Sequence, residues 1–480
     1  MLNPKNNAAF LRMNVLTQVA KSFWQNNFAD IDNVVNTIVP DNAKVMRDSI
    51  ERDRQVVKEQ CLAAMGYTPC ETDVKAPLSD KASEALQREK PEIATVSVMP
   101  HACNACIKTR YTVTNMCRGC FARPCEVNCP KKAISVDEKA SINQDICIKC
   151  GICYNNCPYS AINKAPVPCE DVCPVGAISK DENGFEHIDY NKCISCGKCI
   201  LSCPFGAMVH NSQIIDVLKA IKNPNKKTVA MLAPAFIGQF GNDLGKVIAA
   251  FKKLGFDEVI EVAQGADVTT RTEAAEFIER MENGAKFMTT SCCPAWMAAV
   301  DKHIPEIKPF VSNSGSPMYY IAEIAKKQWP DCVTVFVGPC LAKRLEAEKN
   351  PNVDCVLVFE EVQAIFDAAD IKVAEMQSDA FAVESSAQGR RYPISGGVAG
   401  AVEFVINGKA EYKPERIDGL NPEAIKKLKR YAVTPPADIN MIEVMCCEGG
   451  CIAGPGTMCM AKKGALLVEN YVKTSPDIEK

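Results

Sequence analysis

The sequence predicts a multidomain protein that joins an α+β part to an α/β part. Two features lead to that fold class. A block between Cys103 and Cys203 holds sixteen of the chain's 27 cysteines. After Lys227 the texture changes, and short β-branched runs alternate with helical ones. Such alternation builds a parallel sheet with crossover helices. The chain has 480 residues, room for roughly two to four domains.

Taken in order, residues 1–95 read as a mostly helical region with no assigned role. Ala43–Met65 is charged and free of Gly and Pro. Val45, Ile50, Val56 and Val57 recur there at helical spacing, which predicts one long helix. The polar stretch Glu71–Glu92 reads as a linker. Cys61 and Cys70 carry no ligand motif and read as buried or incidental thiols. The net charge of −3 and pI of about 6.0 argue against a nucleic-acid partner. No run approaches the roughly 18–20 apolar residues of a membrane span. The first residues lack the apolar core and cleavage site of a signal peptide, and they hold no twin arginine. The expectation is a cytoplasmic protein with no membrane partner.

Residues 96–212 form the second unit. Density of this kind in a secreted protein would mean disulfides. Here no export signal is present, and the spacing keeps a C-x-x-C-x-x-C-x-x-x-C-P period that disulfides do not need. Iron–sulfur clusters need it, because several thiolates must converge on one cube. Cys117, Cys120, Cys125 and Cys129 form one motif, and Cys147, Cys150, Cys153 and Cys157 a second. In two-cluster ferredoxins the fourth cysteine of each motif ligates the other cluster. One 4Fe–4S cluster is therefore expected on Cys117, Cys120, Cys125 and Cys157, and another on Cys147, Cys150, Cys153 and Cys129.

Cys193, Cys196, Cys199 and Cys203 make a third motif, and Cys169 and Cys173 the second half of a fourth. Its first half lies upstream at Cys103 and Cys106. One ferredoxin-like unit thus reads as inserted into another. The outer unit pairs Cys103, Cys106, Cys169 and Cys203, then Cys193, Cys196, Cys199 and Cys173. The tails CPKKAI, CPYSAI, CPVGAI and CPFGAM repeat, each with a proline that turns the chain. Zinc is the weaker reading, since zinc sites rarely chain four such motifs. His101 is an alternative ligand that reads as an ordinary side chain. Four 4Fe–4S clusters in series make an electron wire, and a wire needs a terminal catalyst or acceptor.

Residues 213–480 form the third unit. Strand-like runs are Thr228–Ala233, Glu258–Ala263, Lys286–Thr290, Val333–Val337 and Val356–Phe359. Helical patterns are Leu244–Leu254, Thr269–Met281, Met318–Gln328 and Glu361–Ala369. Ligand sites in such folds sit in the loops after the strands. Three signatures occupy this region: Thr290-Ser-Cys292-Cys293-Pro-Ala-Trp296, Gly338-Pro-Cys340-Leu-Ala-Lys343-Arg-Leu-Glu346, and Glu443-Val-Met445-Cys446-Cys447-Glu-Gly449-Gly450-Cys451.

In order, these resemble the three defining signatures of FeFe hydrogenases: TSCCP, PCxxKxxE and MxCxGGC. The resemblance implies a catalytic domain with two α/β halves around an active-site cluster, the H-cluster. That cofactor is a 4Fe–4S cubane joined to a diiron subcluster with CO, cyanide and aza-dithiolate ligands. It implies cubane ligation by Cys293, Cys340, Cys447 and Cys451, with Cys451 bridging to the diiron unit. Gly449 and Gly450 suit close backbone approach to the cluster. Cys292 matches the thiol that passes protons to the bridging amine, and Lys343 matches a donor to cyanide. Glu346 lies a helical turn beyond Lys343, and Met445 belongs to the same catalytic set. Glu273 and Glu276, one turn apart, match two glutamates of the proton channel, and Arg280 an arginine near it. Pro234 and Ala235 match a cyanide-contacting turn.

The chain also departs from the common pattern. Asn313 stands where the channel carries serine, with Ser312 or Ser314 as substitutes. Gly338 replaces a methionine, Cys446 an alanine and Glu448 a proline. These changes surround the expected ligands and leave them intact, and they suggest a divergent subclass such as group B. The implied reaction is 2H⁺ + 2e⁻ ⇌ H₂ under anaerobic conditions. Electrons would come from a soluble carrier such as ferredoxin or flavodoxin, and maturation proteins would supply the diiron unit. The cluster containing Cys193 is expected nearest the catalytic domain. Two rival readings are a non-catalytic iron–sulfur assembly relative and an H₂ sensor. The first tends to lose the Cys292-type thiol or the lysine, and the second usually adds a sensor domain.

Overall fold

The computed structural model describes residues 6–69, 75–89, 94–241 and 243–479. Near the N-terminus, helix Asn7–Trp24 starts at Asn6, whose side chain accepts the N–H of Ala9. It buries Val15, Leu16, Val19 and Phe23 in the main apolar core, shared with the catalytic region. Arg12 clamps Glu360 with two hydrogen bonds, of 2.9 and 3.0 Å. The long helix expected from Ala43 begins only at Ile50, where Ser49 caps it by accepting the N–H of Arg52, and ends at Ala64. Cys61 is buried in the core, as expected of a thiol without a motif; Cys70 lies outside the described residues. The expected linker is corrected in part. Leu78–Gln87 is a helix, because Leu78, Ala82 and Ala85 form a buried stripe. Arg88 beyond it pairs with Asp216 at 2.6 Å.

The cysteine block pairs its short strands concentrically. Val96–Val98 runs antiparallel to Met208–His210. Inside that pair, Arg110–Val113 runs antiparallel to Ile162–Ala165. Hairpins Ile134–Val136/Ala140–Ile142 and Ile178–Lys180/Glu186–Ile188 complete the two sets. These sheets hold two strands each, too few for stability without further support. Small apolar clusters around the cysteines provide part of it.

The third region contains two parallel sheets. The first has strands in the order Glu258–Glu261, Thr228–Leu232, Val333–Gly338, Cys355–Val358. The second has the order Met288–Thr289, Met441–Met445, Pro414–Asp418. The last two strands were not read from the sequence. Glu443 breaks the apolar run of one, and Pro414, Glu415 and Arg416 make the other look like loop. Helix Val262–Glu282 starts seven residues earlier than expected. Its Gly265 lets it cross helix Pro317–Gln328 closely, since a Cβ there would stand 2.1 Å from the Pro317 carbonyl oxygen. Among the described residues no helix is long and apolar enough to cross a membrane.

Candidate metal centres and proton path

The cysteines of the block lie close together in two regions, one for each set of short strands. Cys129, Cys147, Cys150 and Cys153 line one small cavity, and Cys173, Cys193, Cys196 and Cys199 another. Burial pushes the Cys125 thiol up, and neighbouring Cys120 and Cys157 add to that. Cys117 and Cys157 pack against the same apolar cluster as Cys125. Burial also raises Cys169, to about 12, and Cys203 faces both it and Cys106, with Cys103 beside Cys106. The repeated tails have a shared geometry. The alanine N–H of each tail donates to the sulfur of its cysteine, at 3.2 Å for Cys129 and Cys173, 3.3 Å for Cys157 and 3.4 Å for Cys203. Such bonds favour the thiolate. His101 has its ring Nδ1 2.8 Å from Glu59. Among the described residues no three His, Cys, Asp or Glu side chains close around a single ion.

The three signatures converge at the ends of the parallel strands. Cys293 precedes helix Pro294–His303, Cys340 follows strand Val333–Gly338, and Cys447 and Cys451 follow strand Met441–Met445. Burial raises the Cys447 thiol, and Cys340, Cys451 and Cys293 face it. Cys292 packs beside Cys451 of that group, against Met445, Ala266 and Tyr392. The Lys343 ammonium is buried, yet Glu346 outweighs the cost and holds it charged. It donates to Glu346 at 2.6 Å and to Ser316 at 3.1 Å, and Cys340 and Cys292 face it. Glu346 therefore anchors the lysine. Pro234 and Ala235 form a buried turn after strand Thr228–Leu232.

The helix carrying Glu273 and Glu276 is pinned beside this centre. Thr269 donates to the Gly315 carbonyl at 3.1 Å, and Thr270 shares a 2.9 Å hydrogen bond with Tyr392. Glu276 is the outer carboxylate. It pairs with Arg280 at 2.7 Å and accepts from the Ser312 hydroxyl at 2.7 Å and the Asn313 side-chain amide at 2.9 Å. Glu273 is fully buried, and neither carboxyl oxygen has a hydrogen-bond partner. Burial pushes its carboxyl up to about 8, against the pull of nearby Ser312, whose proton is committed to Glu276. Glu273 in turn faces Cys292. The order Glu276, Ser312, Glu273, Cys292, Cys451 thus runs from the half-exposed loop inward.

Comparison with known proteins agrees with these motifs. Residues 226–455 match the family described as iron only hydrogenase large subunit, C-terminal domain. Residues 163–214 match an LdpA Fe–S cluster-binding domain, and residues 139–162 a 4Fe–4S binding domain. The chain is an iron-only-hydrogenase-like protein.

The hydrogenase-like chain is divergent. It is 29% identical to iron hydrogenase 1 of Clostridium pasteurianum over 379 residues, covering 67% of this chain and 66% of that one. It is also 29% identical over 311 residues to a subunit of an NADP-reducing hydrogenase of Solidesulfovibrio fructosivorans, covering 52% and 53%. The chain therefore spans between half and two thirds of the length of these two relatives. Cytosolic iron-sulfur assembly component 3 of Rattus norvegicus is 25% identical over 285 residues, covering 48% and 60%. A solved FeFe-hydrogenase structure describing stepwise H-cluster assembly aligns at 20% identity and a TM-score of 0.44, covering 54% and 88%.

The hydrogenase-like departures have local explanations. At Gly338 a Cβ would lie 2.5 Å from the Phe336 ring and 3.1 Å from the Ala233 methyl, so those groups fill the space a methionine would need. Gly449 and Gly450 both have positive φ, +87° and +92°. A Cβ on Gly450 would meet the Pro393 carbonyl at 2.5 Å, whereas nothing crowds Gly449. Gly450 is thus required by its neighbouring backbone and Gly449 by its φ. Asn313 adds an amide to Glu276, and Ser312 supplies the hydroxyl. Two residues had escaped the sequence reading as site members. Glu443 is buried, accepts N–H groups of Gly396 and Ala399 at 2.6 and 2.7 Å, and faces Cys292. Cys446 is buried in the apolar cluster against which Cys196 packs. For Glu443, its place directly before the third signature was the available signal.

Proposed function

We propose that this chain is an FeFe hydrogenase that interconverts protons, electrons and H₂. Electrons would arrive from a soluble carrier and pass four 4Fe–4S clusters held by the sixteen cysteines. The concentric strand pairing and the two four-cysteine cavities support that nested ligation. Cys293, Cys340, Cys447 and Cys451 would hold the catalytic cubane, and Cys451 would share its sulfur with the diiron unit. The four thiols facing one another fit a multi-iron group, because desolvation opposes their ionisation and bound iron would offset it. When bound, the H-cluster would supply the two-electron chemistry at hydrogen.

The protein's own part is proton delivery and orientation. Glu276 takes a proton from the outer loop, with Arg280 and Asn313 fixing its carboxylate. Ser312 relays the proton to Glu273. Glu273, largely neutral near pH 7, hands it to Cys292. Lys343, held by Glu346 and Ser316, presents an ammonium toward the same pocket. Met445 packs against Cys292 and keeps water from its sulfur.

The observation that carries this reading is Glu273. A buried carboxyl with no partner costs several kcal/mol if it must ionise. An assembly factor that only carries clusters has no use for one facing a thiol beside a cluster ligand. The assembly reading keeps one point in its favour, the likeness to cytosolic iron-sulfur assembly component 3. Turnover decides between them. The anaerobically matured chain is expected to evolve H₂ from a reduced ferredoxin or dye and to exchange H₂ with D₂O. Background rates at full iron content would favour assembly.

A further inference from the structure

The inner ferredoxin-like unit stands apart from the rest of the chain. Among the described residues, no hydrogen bond or ion pair joins residues 111–163 to the N-terminal helices or to the catalytic region. Its surface exposes Phe121 completely, Val127 to 76%, Met116 to 63% and Tyr159 to 47%. Each lies within two residues of a different cysteine. Met116 precedes Cys117, Phe121 follows Cys120, Val127 stands two beyond Cys125, and Tyr159 two beyond Cys157. Those cysteines are the expected ligands of one cluster, and Cys117, Cys125 and Cys157 share one apolar cluster. The four apolar positions therefore surround a single redox group. Large apolar side chains left together in water mark a contact surface.

The same unit is basic. Residues 107–166 hold nine Lys and Arg against four Asp and Glu, in a chain whose net charge is −3. Arg118 lies between Cys117 and Cys120, Arg123 lies between Cys120 and Cys125, and both are exposed. Arg123 meets Glu126 only at 3.5 Å, with both side chains open to water, so the pair neutralises little. Lys131 and Lys132 are exposed directly after Cys129-Pro130. Thiolate-ligated clusters beneath would be negative, and these cations offset part of that charge. The apolar ring has no such use.

We propose that the face around Cys117, Cys120, Cys125 and Cys157 is where the electron carrier docks, and that the carrier is a small acidic protein whose redox group lies near its own surface. Each encounter passes one electron, oxidising the carrier and reducing the cluster beneath this face, which becomes the entry point of the wire. The carrier is acidic because exposed arginines and lysines flank the contact and draw it in. Its redox group is near its surface because two redox groups must approach closely. The apolar centre excludes water from a small, short-lived interface. A second copy of this chain would set the same cations against each other, which opposes self-association here. The inference deepens the proposed electron route and rests on the reading of these cysteines as cluster ligands.

The test mixes the cluster-loaded full chain, without oxygen, with an excess of a reduced acidic 4Fe–4S ferredoxin. Stopped flow follows the bleaching of the chain's iron–sulfur absorbance, with a net-neutral viologen dye as the comparison reductant. In Arg118→Glu/Arg123→Glu, reduction by ferredoxin is expected to slow at least about tenfold at low salt, and the gap narrows as salt screens the charges. Reduction by the dye stays near the parent rate. Phe121→Ala is expected to slow ferredoxin several-fold at any salt. Lys426→Glu/Lys429→Glu makes the same charge change on an exposed helix of the catalytic region and is expected to match the parent. Unchanged ferredoxin reduction in the Arg118 and Arg123 variant, equal slowing with the dye, or equal slowing in the Lys426 and Lys429 variant would each overturn the inference. So would a dimeric parent that Phe121→Ala dissociates on sedimentation, since the face would then belong to a second copy. Bleaching needs clusters but no turnover. Selective slowing in a chain that makes no H₂ would therefore sink the hydrogenase reading and leave the docking face standing.

Discussion

Glu273→Gln isolates the group on which the proton path depends. In the folded protein the carboxyl titrates near 8, against an ordinary value of 4.5. At pH 7 that leaves about ten protonated carboxyls per ionised one, where an ordinary glutamate leaves about one in 300. The folded state binds this proton more tightly than the unfolded state. Its contribution to stability is therefore full below pH 4.5 and is lost as pH rises toward 8. The loss is about 3 kcal/mol by pH 7, from roughly 1.4 kcal/mol per pH unit. Glutamine keeps the shape and removes the slope. The variant is expected to unfold at a higher temperature than the parent at pH 8 and to lose that advantage near pH 5. Its turnover is expected to fall by about 10²–10⁴, the usual worth of a placed acid–base group. Hydrogen evolution and thermal unfolding at a series of pH values read both effects. Turnover within threefold of the parent, or the same pH slope in both proteins, would refute the role given to Glu273.

Further outcomes follow from other contacts. Cys292→Ala is expected to lower turnover at least about 100-fold while leaving iron content intact, and unchanged turnover would remove the thiol from the path. Iron analysis after maturation is expected to find about 22 atoms per chain, and a count near twelve would refute the nested clusters. Arg344 is 3% exposed, clamps Glu361 at 2.7 and 2.8 Å and also donates to the Asn211 carbonyl at 2.6 Å. Arg344→Leu leaves the buried Glu361 carboxylate without its guanidinium, and is expected to cost about 3–5 kcal/mol in thermal or denaturant unfolding.

What was legible in the sequence was local chemistry. Ligand spacing is set by a few residues, and two of the expected sets of cysteines line cavities of their own. Five of the seven described strands and four of the ten described α-helices after Lys227 were readable for the same reason, since periodicity is local. Pro414–Asp418 escaped because its sheet position is edge-like and polar. Helix Leu78–Gln87 escaped because only three small or apolar residues mark its buried face. The proposed proton path was half legible. The spacing of Glu273 and Glu276 showed one helical face, but not that the first is sealed and unpartnered while the second is held by Arg280. Asn313 drew attention as the departure, yet the hydroxyl on Glu276 comes from its neighbour Ser312. Cys446 was legible only as an odd residue. Its apolar cluster also takes in Cys196, 250 positions earlier, and no spacing rule reaches that far.

The central claim is that a diiron unit sits beside Cys292 and Cys451. Infrared spectroscopy of the anaerobically matured chain tests it most directly. Intense CO and cyanide stretching bands are expected, and they should shift on exposure to H₂. A protein with its full cubane iron but no such bands, before or after maturation, would contradict the account.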